Sequence, residues 1–325
     1  MPRPFTLTQL RYFQAVAELE SMTAASERLL VTQSAVSTAM SQLEQALGVQ
    51  LFIRQRTRAL KLTPAGHRFV NEVNAFLEQA DSLYESAQGL AGALAGKLKV
   101  GVFAPLAPFR LPVILQAFEE QYPDIEVTLL EADLATLHAA LLDGECEVAL
   151  TYGLGLPAGF SSQVVEQIPP HILVSAEHPA ARHPERKVTL KDFEHEPMIQ
   201  LNLPHSREYY EHLFRLSGIT PNVRHSFAGY ETVRSFVAMG HGYAVLNQRL
   251  HDLTYAGGRT VAIALSDDLP AIDVMLVRPQ GVQPTRRALA FEQACKRLYG
   301  RINLEQAARD STSTGESPAA HKQNL

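Results

Sequence analysis

One segment, Thr23 to Gly66 (TAASERLLVTQSAVSTAMSQLEQALGVQLFIRQRTRALKLTPAG), constrains this chain more than any bulk property. It reads as two short helices about a tight turn, followed by a hairpin rich in arginine. Just upstream, Leu7–Leu19 predicts an amphipathic helix, because Leu10, Phe13, Val16 and Ala17 recur at helical spacing. Ser21-Met22-Thr23 interrupts it, and Thr23 is the expected N-cap of a second helix, Ala24–Leu30. Val31-Thr32 forms the turn. Thr32 then caps a third helix, Gln33–Leu47, which buries Val36, Met40, Leu43 and Leu47 and ends at Gly48, a residue suited to the left-handed position after a helix. Ala24 and Ala25 are small enough for the short helices to cross closely. Leu51–Arg54 and Arg58–Leu62 predict two short strands around Gln55-Arg56-Thr57, a wing.

Charge is distributed to match. Residues 1–70 hold seven arginines and Lys61 against four glutamates, while the whole chain carries 29 basic and 34 acidic residues and a net charge of -5. A basic head on an acidic body confines phosphate attraction to the head. The expected partner is double-stranded DNA. Gln33, Ser34, Ser37, Thr38 and Ser41 lie on the outer face and N-terminal half of the third helix. There a Gln can bond an adenine edge at two points, and hydroxyls can bond bases or phosphates. Thr32 and the helix N-terminus suit a phosphate. Arg54, Arg56 and Arg58 on the wing suit a minor groove or the sugar-phosphate backbone. The plainer alternative for these residues is a solvated helix face and a solvated charge run.

Thr63-Pro64 restarts helix as an N-cap followed by proline at the first helical position. Phe69, Val73, Phe76, Ala80, Leu83, Ala87, Leu90 and Leu94 then alternate spacings of four and three, a heptad seam that predicts dimerisation through a linker helix. The alternative is a long helix packed on its own domain. Paired half-sites on DNA would call for the dimer.

From Lys97 onward short strands alternate with helices, which indicates a parallel sheet with helical crossovers. The strands expected are 97–103, 125–130, 147–152, 172–176, 198–201, 223–227, 243–246 and 271–277. The helices expected are 109–121, 134–142, 206–217, 230–239 and 285–298. In such folds ligands sit beyond the carboxyl ends of strands. That places Ala104, Pro105, Thr151, Tyr152, Asn202, Ser206, Phe227, Tyr230 and Asn247 at an effector site for a small, partly apolar metabolite, an acid being one form. Residues 303–325 are polar and rich in Ser and Thr, and a disordered tail is expected there.

Other chemistries find less support. Two cysteines, Cys146 and Cys295, give no disulfide framework, and Cys146 reads as buried and inert. The histidines between His171 and His225 form no pair at ligand spacing and no HExxH, so no metal and no cofactor is expected. No nucleophile elbow, phosphate loop or dinucleotide fingerprint occurs, and the chain is not read as an enzyme. No apolar run is long enough to span a membrane, and no export signal is evident, so a cytoplasmic protein is expected. A solute-binding module without DNA function is the second reading, which the basic head opposes.

At FTLTQLRYFQAVAE, at TAASERLLVTQSAVSTAMSQLEQALGVQLFIR and at LTPAG, and more loosely at FEEQYPDIEVTLLE and LLDGECEVALTYG, the chain resembles the LysR-type transcriptional regulators. The resemblance implies a winged helix-turn-helix over residues 1–66, a linker and dimerisation helix over 67–95, and an effector-binding domain over 96–302. That domain would be similar to periplasmic solute-binding proteins, with two α/β subdomains (96–168 with 268–302, and 169–267) and the effector between them. It also implies promoter DNA as target, a dimer or tetramer of the chain, and RNA polymerase as a further contact. Two departures stand out. Gln33–Leu47 has no Arg or Lys where many relatives carry one near Ser41 or Gln42. The Ala104-Pro105-Leu106-Ala107 loop lacks the hydroxyl with which relatives hold an anion.

Overall fold

The computed structural model describes residues 5–54, 60–87 and 94–313. The chain forms two compact units, one of residues 1–151, 159–162 and 276–325, the other of residues 152–158 and 163–275. The head therefore belongs to the same unit as the first part of the α/β body.

The head comprises α1 (Leu7–Leu19), α2 (Met22–Leu29), α3 (Gln33–Leu47), β1 (Phe52–Arg54) and β2 (Leu60–Leu62). Local caps set its helix bounds. Thr6 and Gln9 form a reciprocal capping box at α1. Thr32 caps α3, and Gly48 closes it at φ +68°. The N-cap of α2 is Ser21, whose side chain accepts from the Ala24 amide, and not Thr23 as expected; α2 thus begins two residues early. Leu10, Phe13, Val16, Ala25, Val36, Met40, Leu43, Leu51 and Leu60 form one core. The Phe13 ring lies 5.4 Å from Phe52 and 5.1 Å from Phe69, which joins wing and linker to the helices.

The linker helix α4 spans Pro64–Ala87. Thr63 caps its start by accepting the Gly66 amide at 3.0 Å. Gly66 is required, since a Cβ there would stand 2.3 Å from the Leu51 carbonyl oxygen.

A five-stranded sheet carries β4 (Ile125–Ala132), β3 (Gly96–Phe103), β5 (Val148–Tyr152), β12 (Ile272–Pro279) and β6 (Phe160–Ile168), in that order. β3 pairs in parallel with β4, Gly96 opposite Ile125 and Phe103 opposite Ala132, and in parallel with β5. The crossovers are α5 (Ala107–Gln121) and α6 (Leu134–Asp143), and α9 (Arg286–Ser313) packs on α5 with Phe291 edge-on to Phe118 at 5.3 Å. α9 continues to Ser313, so the expected start of a disordered tail at residue 303 is corrected; residues 314–325 lie outside the described residues. β6 was not expected, because FSSQVVEQI is largely polar, as suits a strand at the end of a sheet.

In the second unit the expected parallel sheet is corrected. β7 (His171–Ser175) lies between β10 (Ala244–Leu246) and β11 (Thr260–Ala264), antiparallel to both. β8 (Pro197–Leu201) and β9 (Asn222–Phe227) pair in parallel. A bridge joins the two sheets: the Tyr243 amide donates to Pro197 at 3.0 Å, and the Ile199 amide donates to Tyr243 at 2.7 Å. Gly242 permits it, since a Cβ there would fall 2.1 Å from the Pro197 oxygen. α7 (Ser206–Leu216) and α8 (Tyr230–Ala238) complete the unit around a core of Ile172, Val174, Ile199, Leu213, Val233, Val237 and Tyr243.

Candidate DNA-reading surface and effector lobe

α3 presents two chemically distinct faces. Val36, Ala39, Met40 and Leu43 are buried, while Thr32, Gln33, Ser34, Thr38 and Ser41 are exposed and Ser37 is half-buried. Ser34, Thr38 and Ser41 follow helical spacing, so they share one face. Thr32 Oγ1 accepts the Ala35 amide at 3.3 Å and lies 3.0 Å from Ser34 Oγ. Ser41 Oγ donates to the Ser37 carbonyl at 3.1 Å, which leaves its lone pairs facing outward as acceptors.

Two positioning residues escaped the sequence reading. Gln42 accepts from Gln9 Nε2 at 3.1 Å, which ties α1 to α3. Glu44, in the last turn of α3, accepts the amides of Leu51 and Phe52 and so anchors the wing. A carboxylate at a helix C-terminus opposes the dipole, and that conflict was the available signal of an outside partner. Arg54 ends β1 opposite Leu60. Its side chain, and Arg56 and Arg58 entirely, lie outside the described residues.

The expected dimer seam divides. Val73 is buried in the head core and Phe69 packs against that core, so Val73 is corrected from an intersubunit to an intramolecular contact. Phe76 is 43% exposed, Ala80 half-buried and Leu83 74% exposed, and these three share a face at helical spacing. Leu90 and the side chain of Ala87 lie outside the described residues.

The expected effector residues separate by unit. In the first, Ala104 and Pro105 are half-buried in the turn after β3, and Thr151 is fully buried near the end of β5, its hydroxyl without a hydrogen-bond partner. In the second, Tyr152, Tyr230 and Asn247 belong to one buried network. Gln248 Nε2 donates to Tyr152 Oη at 2.9 Å, and Tyr230 Oη donates to the Gln248 carbonyl at 2.5 Å. Asn247 Nδ2 donates to the Ile168 carbonyl and to Tyr209 Oη, both at 2.9 Å, and its Oδ1 accepts from Tyr210 at 3.0 Å. Asn247 is thus corrected to a structural crosslink: its amide is committed to protein partners and has no donor left for a ligand. Burial pushes the Tyr209 phenol up to about 12 and those of Tyr210 and Tyr230 higher, so all three remain neutral donors.

Ser206 is buried at the start of α7, after His205 in a left-handed conformation at φ +67°. The neighbouring Arg207 is committed to Glu211 at 2.7 Å. Asn202 is exposed and its backbone N–H donates to the Phe227 carbonyl at 2.8 Å. Phe227 stacks into a cluster with Phe236 (4.5 Å) and His225 (6.0 Å).

Both cysteines are buried, and burial, with Glu145 and Glu147 beside Cys146 and Glu292 beside Cys295, pushes each thiol up to about 12. Among the described residues no group of three His, Cys, Asp or Glu could hold a metal ion. Among them, too, no helix is long and apolar enough to cross a membrane.

A capped helix with a polar outer face, a hairpin beside it, and an α/β body define a helix-turn-helix regulator joined to a ligand-binding domain. Sequence comparison agrees: residues 7–67 match the bacterial regulatory helix-turn-helix protein, lysR family, and residues 91–299 match the LysR substrate binding domain. The HTH-type transcriptional regulator YvbU of Bacillus subtilis, itself uncharacterised, is 28% identical over 309 residues, 91% of this chain and 99% of that one. The crystal structure of HinK, a LysR family transcriptional regulator from Pseudomonas aeruginosa, is 31% identical with a TM-score of 0.63, covering 92% and 99% of the two chains. An H2O2-bound OxyR mutant of Corynebacterium glutamicum is 25% identical with a TM-score of 0.55, over 98% and 99%. The chain belongs to the LysR family of transcriptional regulators, with a DNA-binding helix-turn-helix domain and an effector-binding domain. The reading as a solute-binding module without DNA function is not favoured.

Proposed function

We propose that the chain reads promoter DNA as a dimer, with α3 of each protomer in the major groove and the wing arginines Arg54, Arg56 and Arg58 on the backbone or minor groove. The observation that carries this is the exposed amide and hydroxyl face of α3, Gln33, Ser34, Thr38 and Ser41, opposite a fully buried stripe. Thr32 and the amides at the start of α3 take a phosphate. Because α3 lacks a cation, base discrimination rests on neutral hydrogen bonds and attraction on the wing. Footprinting on duplexes recovered from genomic DNA tests this; protection that is the same for the chain and for a Gln33→Ala variant on every sequence contradicts it. Dimer contact is assigned to Phe76, Ala80 and Leu83.

The effector is assigned as a small, partly apolar metabolite. Thr151, with Ala104 and Pro105 of the same unit, is assigned to contact it. The support is the buried, unpartnered Thr151 hydroxyl, since a buried polar group without a partner asks for one. A thermal-shift screen of small carboxylic and aromatic metabolites tests the assignment, which fails if the shifts produced are equal in a Thr151→Val variant. RNA polymerase is the remaining proposed partner, and a supershift of the promoter complex by the purified enzyme tests it.

A further inference from the structure

The linker helix is fastened to the body of its own unit by a few polar contacts. Near its start, His67 Nδ1 lies 2.8 Å from the Asp143 carbonyl oxygen and Asn71 Nδ2 lies 3.5 Å from that of Leu141. Both carbonyls belong to the last turn of α6, where helices leave acceptors unsatisfied. Farther along α4, Glu78 Oε2 accepts the backbone amide of Arg286 at 2.7 Å, and Oε1 faces the Arg287 guanidinium at 3.4 Å. Arg286 opens α9, so Glu78 satisfies one of its orphan amides from another element and places a negative charge at the positive end of the helix dipole.

The other side of the same helix end is gripped by the effector strand. Thr285 Oγ1 accepts the Ala288 amide at 3.1 Å and donates to Glu147 Oε2 at 2.5 Å, and Glu147 directly precedes β5, which leads to Thr151 and Tyr152. A groove of about 490 Å³ opens between Leu47 and Leu51 of the head, Phe69 of α4, and Leu142 and Val282 of the body. Polar contacts from α4 therefore help to set the angle between head and body, and Glu78, whose side chain is 11% exposed, makes two of these contacts.

We infer that Glu78 is a positioning residue for DNA recognition: by capping α9 it fixes the angle at which the head leaves the body, and with it the half-site spacing that a dimer accepts. The inference rests on the proposed reading of paired half-sites. The test is selection from a random duplex library by the full-length chain and by Glu78→Ala. The chain enriches one spacing. The variant enriches the same half-site sequence but loses roughly tenfold in discrimination between spacings, the scale of one charge-assisted hydrogen bond.

Arg286→Pro supplies a second variant. Proline suits the first helical position; both variants lose the arginine side chain, but Arg286→Pro also loses the amide that Glu78 accepts, whereas Arg286→Ala keeps it. Arg286→Pro should match Glu78→Ala in spacing tolerance, and Arg286→Ala should match the parent chain, even where Glu78→Ala does not fold. Unchanged spacing in Glu78→Ala and Arg286→Pro, or loss of the half-site sequence itself, overturns the positioning role. A parent chain that enriches only single half-sites refutes the paired reading, and the inference with it.

Discussion

Glu44 accepts the backbone amide of Leu51 at 2.7 Å, so the last turn of the recognition helix holds the first residue of the wing segment. The Phe52 amide joins at 3.0 Å on the same carboxylate oxygen. Replacing Glu44 by Ala strands two part-buried donors, each worth about 1–3 kcal/mol when left unpaired. Urea unfolding should show the head destabilised on that scale, and DNA titration should show weaker binding to every sequence alike. Unchanged stability would mean that the wing is held by its apolar contacts alone.

Wing and helix should fail differently. Removing Arg56 should lower affinity for specific and random duplexes together and flatten the slope of log affinity against log salt by about one unit. Gln33→Ala should instead cost about 1–3 kcal/mol at one base position and leave the salt slope in place. Equal losses on specific and random duplex for Gln33→Ala would remove it from base reading.

Along α4, Leu83→Asp and Val73→Asp should part company. Leu83 is exposed, so a charge there should leave the head folded and yield monomers in sedimentation. Val73 sits in the head core, so a charge there should unfold it. A Leu83→Asp chain that still sediments as the parent oligomer would move the self-contact elsewhere.

Thr151→Val removes a buried hydroxyl that lacks a partner. The unliganded chain should become more stable, by about 1–3 kcal/mol, while the thermal shift given by a true effector should shrink. Loss of stability without ligand would show that the hydroxyl is already satisfied.

With each thiol pushed up to about 12, Cys146 and Cys295 stay protonated throughout neutral pH, and the thiolate is the reactive species. Native chain should therefore resist maleimide and peroxide, and its DNA affinity should survive both. Rapid labelling of the folded chain near pH 7 would contradict this.

The head was legible because its signals are local. Thr32 and Gly48 bound α3 through their own backbone and side-chain preferences, and the bounds read for α1 and α3 match those found. Ser21 and Thr23 are both hydroxyls near the start of α2, so sequence spacing could not choose between them. Val73 satisfies a heptad and a core position equally well; only the fold of α1 over α4 decides which claims it. Asn247 shows the same ambiguity in the body. A polar residue at a strand end reads as a ligand contact until Tyr209, Tyr210 and Ile168, distant in sequence, are seen around it. Strand direction in the second unit also depended on long-range pairing, and β6 gave no apolar run to mark it, whereas β11 lies in one, residues 261–265.

The central claim is that α3 reads DNA sequence and the wing supplies the attraction. Titration of the full-length chain against its selected duplex and a scrambled one, at rising salt, tests it most directly. The account predicts affinity for the selected duplex greater by roughly a thousandfold or more, with both affinities falling as salt increases. Equal affinity for the two duplexes, or binding to neither at low salt, would contradict it.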